Sequence, residues 1–260
     1  MFTLTSSQLH LWLGEYLWPF FRILALLSVA PIFGSRAIPT SVKVLTAFVM
    51  TIVLAPVIPQ GPDISPASAE GLLIVFQQVI IGLAMGMAVR MIFSAMEMAG
   101  HIAGLQMGLG FATFFDPQNG TQVPLMGQFI SIFATLLFLA FNGHLMIISA
   151  LAESCYTLPI GLQMADASFK GLAVAGGMIF AWGVQLALPV MAALMLVNVA
   201  LGVLTRAAPQ LNIFAVGFPL TLGVGFIILA LSIPYFAPVF GGMIETSIAN
   251  MLNMATPAPN

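Results

Sequence analysis

Glu97–Gly120, EMAGHIAGLQMGLGFATFFDPQNG, is the stretch from which the rest of the chain can be read. It starts as a helix that continues an apolar span and ends in a turn. At about 100° per residue, Glu97, Gly100, His101, Gly104, Gly108 and Phe111 fall within one stripe. Gly100, Gly104 and Gly108 recur at every fourth position, and small residues at that spacing strip side chains from one face so that another helix backbone can approach. Beyond Gly108 the run Gly110-Phe111-Ala112-Thr113-Phe114-Phe115 loses helical character. It meets Asp116-Pro117-Gln118-Asn119-Gly120, which is turn chemistry because Pro fixes φ while Asn and Gly tolerate the left-handed region. Two readings stand: a helix end whose aromatics join a core, or a glycine-flanked loop whose Phe111, Phe114 and Phe115 obstruct a conduit.

Composition places this helix in a membrane protein. Of 260 residues 60% are hydrophobic and 5% charged, with a mean hydropathy of +1.10, where a soluble domain carries about 25% charged residues. Six Lys and Arg leave no basic patch for nucleic acid. Cys155 is alone, so it forms no intrachain disulfide and reads as a small apolar packing residue. The N-terminal sequence lacks the marks of a cleaved signal peptide.

Six apolar runs are expected to form helices. The first, from about Leu9 to Ala30, contains Glu15 among interfacial aromatics and Arg22, the better functional candidate because intramembrane charge needs a protein partner or water. Val44 to Ile58 follows and is short for a crossing; Gly71 to Val89, ending at Arg90, has Gly82 and Gly86 at the four-residue spacing. Pro124 to Phe141 closes at Asn142-Gly143-His144, where His144 is expected to bond a backbone carbonyl, and Ser154 to Lys170 reads as a long connection. Gly171 to Val203 is interrupted by Pro189, and Phe214 to Ile233 is expected to end at Pro234 and Pro238. Six spans with an outside start put Arg36, Lys43, Arg90 and Arg206 on the cytoplasmic side. The fold class is all-α: one polytopic membrane subunit over residues 1–260, with Pro/Gly-broken helices forming hairpins in a larger helical assembly.

No catalytic or nucleotide-binding motif occurs, and no metal or cofactor is expected. Glu97 and His101, four residues apart, lack further ligands and read as an interhelical hydrogen bond. Arg206, Gln210 and Asn212 form a second polar cluster; Arg206 is either a gating or interfacial contact or a positive-inside anchor. Two function classes remain, a gate subunit of a translocation machine and a small-solute or ion transporter with a midplane site, though the paired repeats of a transporter are not evident.

Ala30-Pro31-Ile32-Phe33-Gly34, the Gly104–Gly110 helix end leading into Asp116-Pro117, Asn142-Gly143-His144, and Arg206–Phe214 together resemble the flagellar biosynthetic protein FliR family in order and spacing. The resemblance implies an export-gate component of a type III secretion apparatus in the bacterial inner membrane and flagellar basal body. It would assemble with FliP and FliQ, contact FlhB, and pass unfolded proteins. Relatives in virulence-type secretion systems share this architecture. The same resemblance implies a plug formed by Gly110, Phe111, Phe114, Phe115, Asp116 and Pro117.

Overall fold

The computed structural model describes residues 6–111, 124–162, 166–210 and 213–255. Among the described residues the chain is all-helical: α1 Ser6–Val29, α2 Thr40–Leu54, α3 Ala69–Gln106, a 3-10 turn Leu109–Phe111, α4 Leu125–Ala140, α5 Gly143–Thr157, α6 Asp166–Ala207 and α7 Ile213–Met254. Apolar side chains along the whole of the long helices leave the backbone no solvent to bond, so each amide is satisfied within its own helix.

That requirement changes several boundaries expected from the sequence. Arg90 does not end a span; it lies within the 38 residues of α3. Pro234 and Pro238 do not end the last helix, and α7 runs through Pro219, Pro234 and Pro238 for 42 residues. Proline removes one helical hydrogen bond, whereas a full break in apolar surroundings would strand several carbonyls, so the helix continues. The supposed connection from Ser154 to Lys170 is largely helical too, the end of α5 and the start of α6. Among the described residues three helices are long and apolar enough to cross a membrane, with a fourth if α4 and α5 count as one broken span. The six-span count and the sidedness built on it are therefore not what the structure shows.

The chain divides into two compact units. The first comprises Met1–Met91, Phe138–Gly176 and Ile244–Asn260, and the second Ile92–Leu137 and Gly177–Met243.

In the first unit α1 and α3 are parallel. Trp18 packs with Ile74, Arg22 bonds Gln78, Gly82 meets the Arg22 backbone and the Ala25 Cβ, and Gly86 meets Leu26 and Val29, so both helices advance together. A Cβ at Gly82 would collide with the Arg22 carbonyl, and one at Gly86 would lie 2.9 Å from that of Leu26. Only glycine allows this approach. α2 packs on α1 through a narrow strip that buries Ala47 and Thr51, while Leu45, Phe48, Ile52 and Val53 are exposed. At 15 residues it spans about 22 Å, short of a bilayer core of about 30 Å.

The connector from α1 to α2 is strained. Ile32 has a φ of +71°, and the Phe33 amide donates to the Pro31 carbonyl at 2.9 Å, a γ-turn of the rare positive-φ kind. Gly34 folds back over the end of α1, where a Cβ would lie 2.8 Å from the carbonyls of both Ser28 and Ala30.

The second unit gathers parts of α3, α4, α6 and α7. α7 runs antiparallel to α3, since Phe93 meets Phe240 edge-on near one end while Met107 meets Gly225 near the other. Gly183 of α6 approaches the Ala95 carbonyl and Met98, and Phe133 of α4 stacks obliquely on Phe236. Ala99, Gly100, Ala103, Ile130, Leu186 and Phe236 line a small apolar cavity where the four helices converge.

Candidate functional site

α3 ends in a helix cap. The Met107 amide still donates to Ala103, the Gly108 amide turns to Leu105 at 3.1 Å, and Gly108 takes a φ of +84°. Gly108 thus serves the turn, because a left-handed residue after a helix favours glycine. Met107 is fully buried against Gly225, and the Thr221 hydroxyl donates to the Met107 carbonyl at 3.2 Å. Gly110 and Phe111 belong to the short 3-10 turn that follows. Phe114, Phe115, Asp116 and Pro117 lie outside the described residues, as does Asn212.

The other side of this stretch packs against the start of α4. A Cβ on Gly100 would meet the Met126 carbonyl at 2.5 Å, and one on Gly104 the Met126 side chain at 3.1 Å. Gly127 returns the approach, lying against the carbonyl and Cγ of Glu97. Both ends of the segment between Gly108 and Pro124 are therefore held against the final turns of α3. Glu97 and His101 are both exposed on α3, and among the described residues no hydrogen bond joins them.

Arg22 is a different kind of site. It is fully buried in the first unit, where its Nε donates to Gln78 Oε1 at 2.7 Å. Nη1 donates to the Ser154 carbonyl at 3.0 Å and to Ser154 Oγ at 3.3 Å, with Cys155 Sγ at 3.5 Å, and Nη2 donates to the Leu158 carbonyl at 3.0 Å. The planar guanidinium fork joins α1, α3 and the C-terminal end of α5, where the Ser154 carbonyl also accepts from the Leu158 amide at 3.0 Å and the Leu158 carbonyl lies past the last turn. A cation there also meets the negative end of the helix dipole. Among the described residues the acceptors of these bonds are an amide oxygen, two carbonyls, a hydroxyl and a thiol, with no carboxylate. Cys155 is more than filler, since its sulfur accepts one of these bonds. Among the described residues Trp18 Nε1 and Gln78 Nε2, nearby on the same helix pair, and His144 Nδ1 are buried without hydrogen-bond partners. Arg206 and Gln210 are exposed at the end of α6 and in the turn after it.

The sequence model for bacterial export proteins, family 1, matches residues 13–247. Flagellar biosynthetic protein FliR of Pectobacterium carotovorum is 46% identical over 240 residues, 92% of this chain and 91% of the relative. FliR of Escherichia coli K12 is 44% identical over 253 residues, 97% and 96% of the two chains, and FliR of Bacillus subtilis 31% identical over 243 residues, 92% and 93%. The chain belongs to the FliR family.

The FliR match contains the Arg22 clasp, all of α3 and the polar cluster after α6. Gln78, Ser154 and Thr221 were not singled out from the sequence. Gln78 could have been, as an uncharged polar residue in an apolar run that already holds Gly82 and Gly86. Ser154 and Thr221 carry no such signal, because their roles come from residues more than a hundred positions away.

Proposed function

We propose that this chain is a subunit of the flagellar protein export gate, in the bacterial inner membrane within the flagellar basal body. It forms the channel with FliP and FliQ, contacts FlhB, and passes unfolded flagellar proteins. The observation that carries this reading is the near full-length similarity to FliR proteins from distant bacteria. The long apolar helices and the glycine-mediated backbone contacts are in keeping with a subunit built to pack among other helices in lipid.

In this reading Phe111, Phe114 and Phe115 form a plug. Their apolar side chains dewet the lumen and hold back ions until a substrate displaces them. Gly108 and Gly110 flank the loop and supply its hinge, a role supported by the left-handed Gly108. The chain performs no chemistry in this account; its work is to shape and seal a passage.

The test is mass spectrometry of the culture supernatant with and without an in-frame deletion of this chain, together with inspection for filaments. Joint loss of hook and filament proteins is the expected result. Loss of a different secreted set would assign the chain to a virulence-type system, and an unchanged supernatant would overturn the export reading.

A further inference from the structure

Glu97 and His101 lie one turn apart on α3, and both are exposed; Ser94, three residues before Glu97, is half-buried on the same face. Gln128, exposed in the first turns of α4, follows Gly127, which packs on Glu97. Among the described residues of the second unit Glu97 and Arg206 are the charged side chains, and Arg206 stands in the last turn of α6. Glu97 is therefore the charge in the body of this unit.

Its setting is otherwise apolar. α3 is apolar enough and long enough to cross a membrane. The exposed stripe on neighbouring α4 reads Leu125, Phe129, Ile132 and Leu136, which suits lipid or apolar helices. A carboxylate and an imidazole cannot be solvated by hydrocarbon, and in membrane helices such groups turn to protein or to water. Among the described residues neither Glu97 nor His101 has a side-chain hydrogen bond or ion pair. The stripe ends about 16 Å further along α3, at the Gly108 turn.

We infer that Ser94, Glu97 and His101 of α3, with Gln128 of α4, form the wet wall of a passage, and that its occupant is an extended polypeptide. The occupant rests on the export-gate reading; the wetness of the wall rests on the chemistry of the stripe. A carboxylate and a hydroxyl accept from backbone N–H groups, while an imidazole and an amide both donate and accept, so together they suit a chain of any sequence. A single charge among them keeps each contact weak enough for a polypeptide to move on.

Cys155 is the lone cysteine and is buried, so a cysteine introduced elsewhere reports alone. Ser94→Cys, Glu97→Cys, His101→Cys and Gln128→Cys, each in the assembled machine in membranes, would be treated with a membrane-impermeant maleimide. Phe129→Cys and Ile132→Cys serve as apolar controls. Labelling is repeated with the passage jammed by an export substrate fused to a domain that cannot unfold. A position whose cysteine abolishes export is replaced by Leu105→Cys, exposed on the same stripe. The expected result is labelling severalfold faster than at the controls, and severalfold slower once the substrate is jammed. Labelling as slow as at the controls, in cells that still export, overturns the wet wall. Labelling that the jammed substrate leaves unchanged overturns the occupant, since the stripe is then a wetted outer face. Failure of the export reading appears separately, as an unchanged supernatant in the deletion strain.

Discussion

Arg22 and Gln78 meet across the parallel contact of α1 and α3, Nε donating to Oε1 at 2.7 Å, in a place where neither side chain exposes any surface. The bond joins residues 56 positions apart, and the same guanidinium reaches the end of α5, 132 to 136 positions away. One side chain thus ties together three segments of the first unit.

Replacing Arg22 by Met keeps an unbranched apolar stem and removes every donor. The Leu158 carbonyl and the amide oxygen of Gln78 would lose their bonds to it, each at a cost of about 1–3 kcal/mol, while the Ser154 carbonyl keeps the Leu158 amide. The sum is expected at about 2–5 kcal/mol, from two buried acceptors left without a donor. Arg22→Lys should recover only part of it, because a compact ammonium cannot serve three elements as the planar fork does. Thermal unfolding of the detergent-solubilised chain checks both. An Arg22→Met protein as stable as the parent would show that the clasp contributes nothing.

Ile32 offers the opposite sign. A β-branched residue at a φ of +71° carries strain of about 1–3 kcal/mol, and glycine takes the same φ without it. Ile32→Gly is expected to raise the unfolding temperature, after the entropy that glycine adds to the unfolded chain is deducted. Gly34→Ala should lower it, since the new Cβ would press on two carbonyls at the end of α1. Measured side by side, the pair separates backbone strain from general sensitivity of the connector.

The glycines fall into two groups with different expected responses. Gly82→Leu and Gly100→Leu would each force apart helix backbones in contact, and should prevent accumulation of the folded chain. Gly177 and Gly223 have open space where a Cβ would stand, so alanine there should stabilise the isolated chain by about 0.5–1 kcal/mol through helix propensity. Limited proteolysis of the purified variants distinguishes the groups. If Gly177→Ala stabilises the isolated chain but blocks its recovery in the assembled gate, a partner covers that face.

Phe114 and Phe115 test the plug. Changing both to Ser removes the apolar barrier while leaving the packed ends of the segment, Gly104 and Met107 before it and Met126 after it, untouched. Ion leakage through cells carrying the assembled gate is expected to rise. Leakage equal to the parent's would remove the plug assignment without affecting family membership.

The apolar composition and the periodic glycines were enough to read an all-α membrane protein, and four short motifs were enough to read its family. Both are local properties, written in side-chain hydropathy and spacing. Helix boundaries at Arg90, Pro234 and Pro238 were not legible in this way, because a charge or a proline marks a boundary only where the freed backbone can find other partners. Periodicity placed Glu97, His101 and the glycines on a shared stripe of α3, yet it could not tell which part of that stripe is covered. Tertiary packing decides that: α4 closes over Gly100 and Gly104 and leaves Glu97 and His101 outside. Arg22 shows the same division. Its charge in an apolar run was visible in the sequence, whereas its partners on α3 and α5 exist only once three distant helices meet, because a buried guanidinium is satisfied by whatever carbonyls the fold brings within 3 Å or so of its fork.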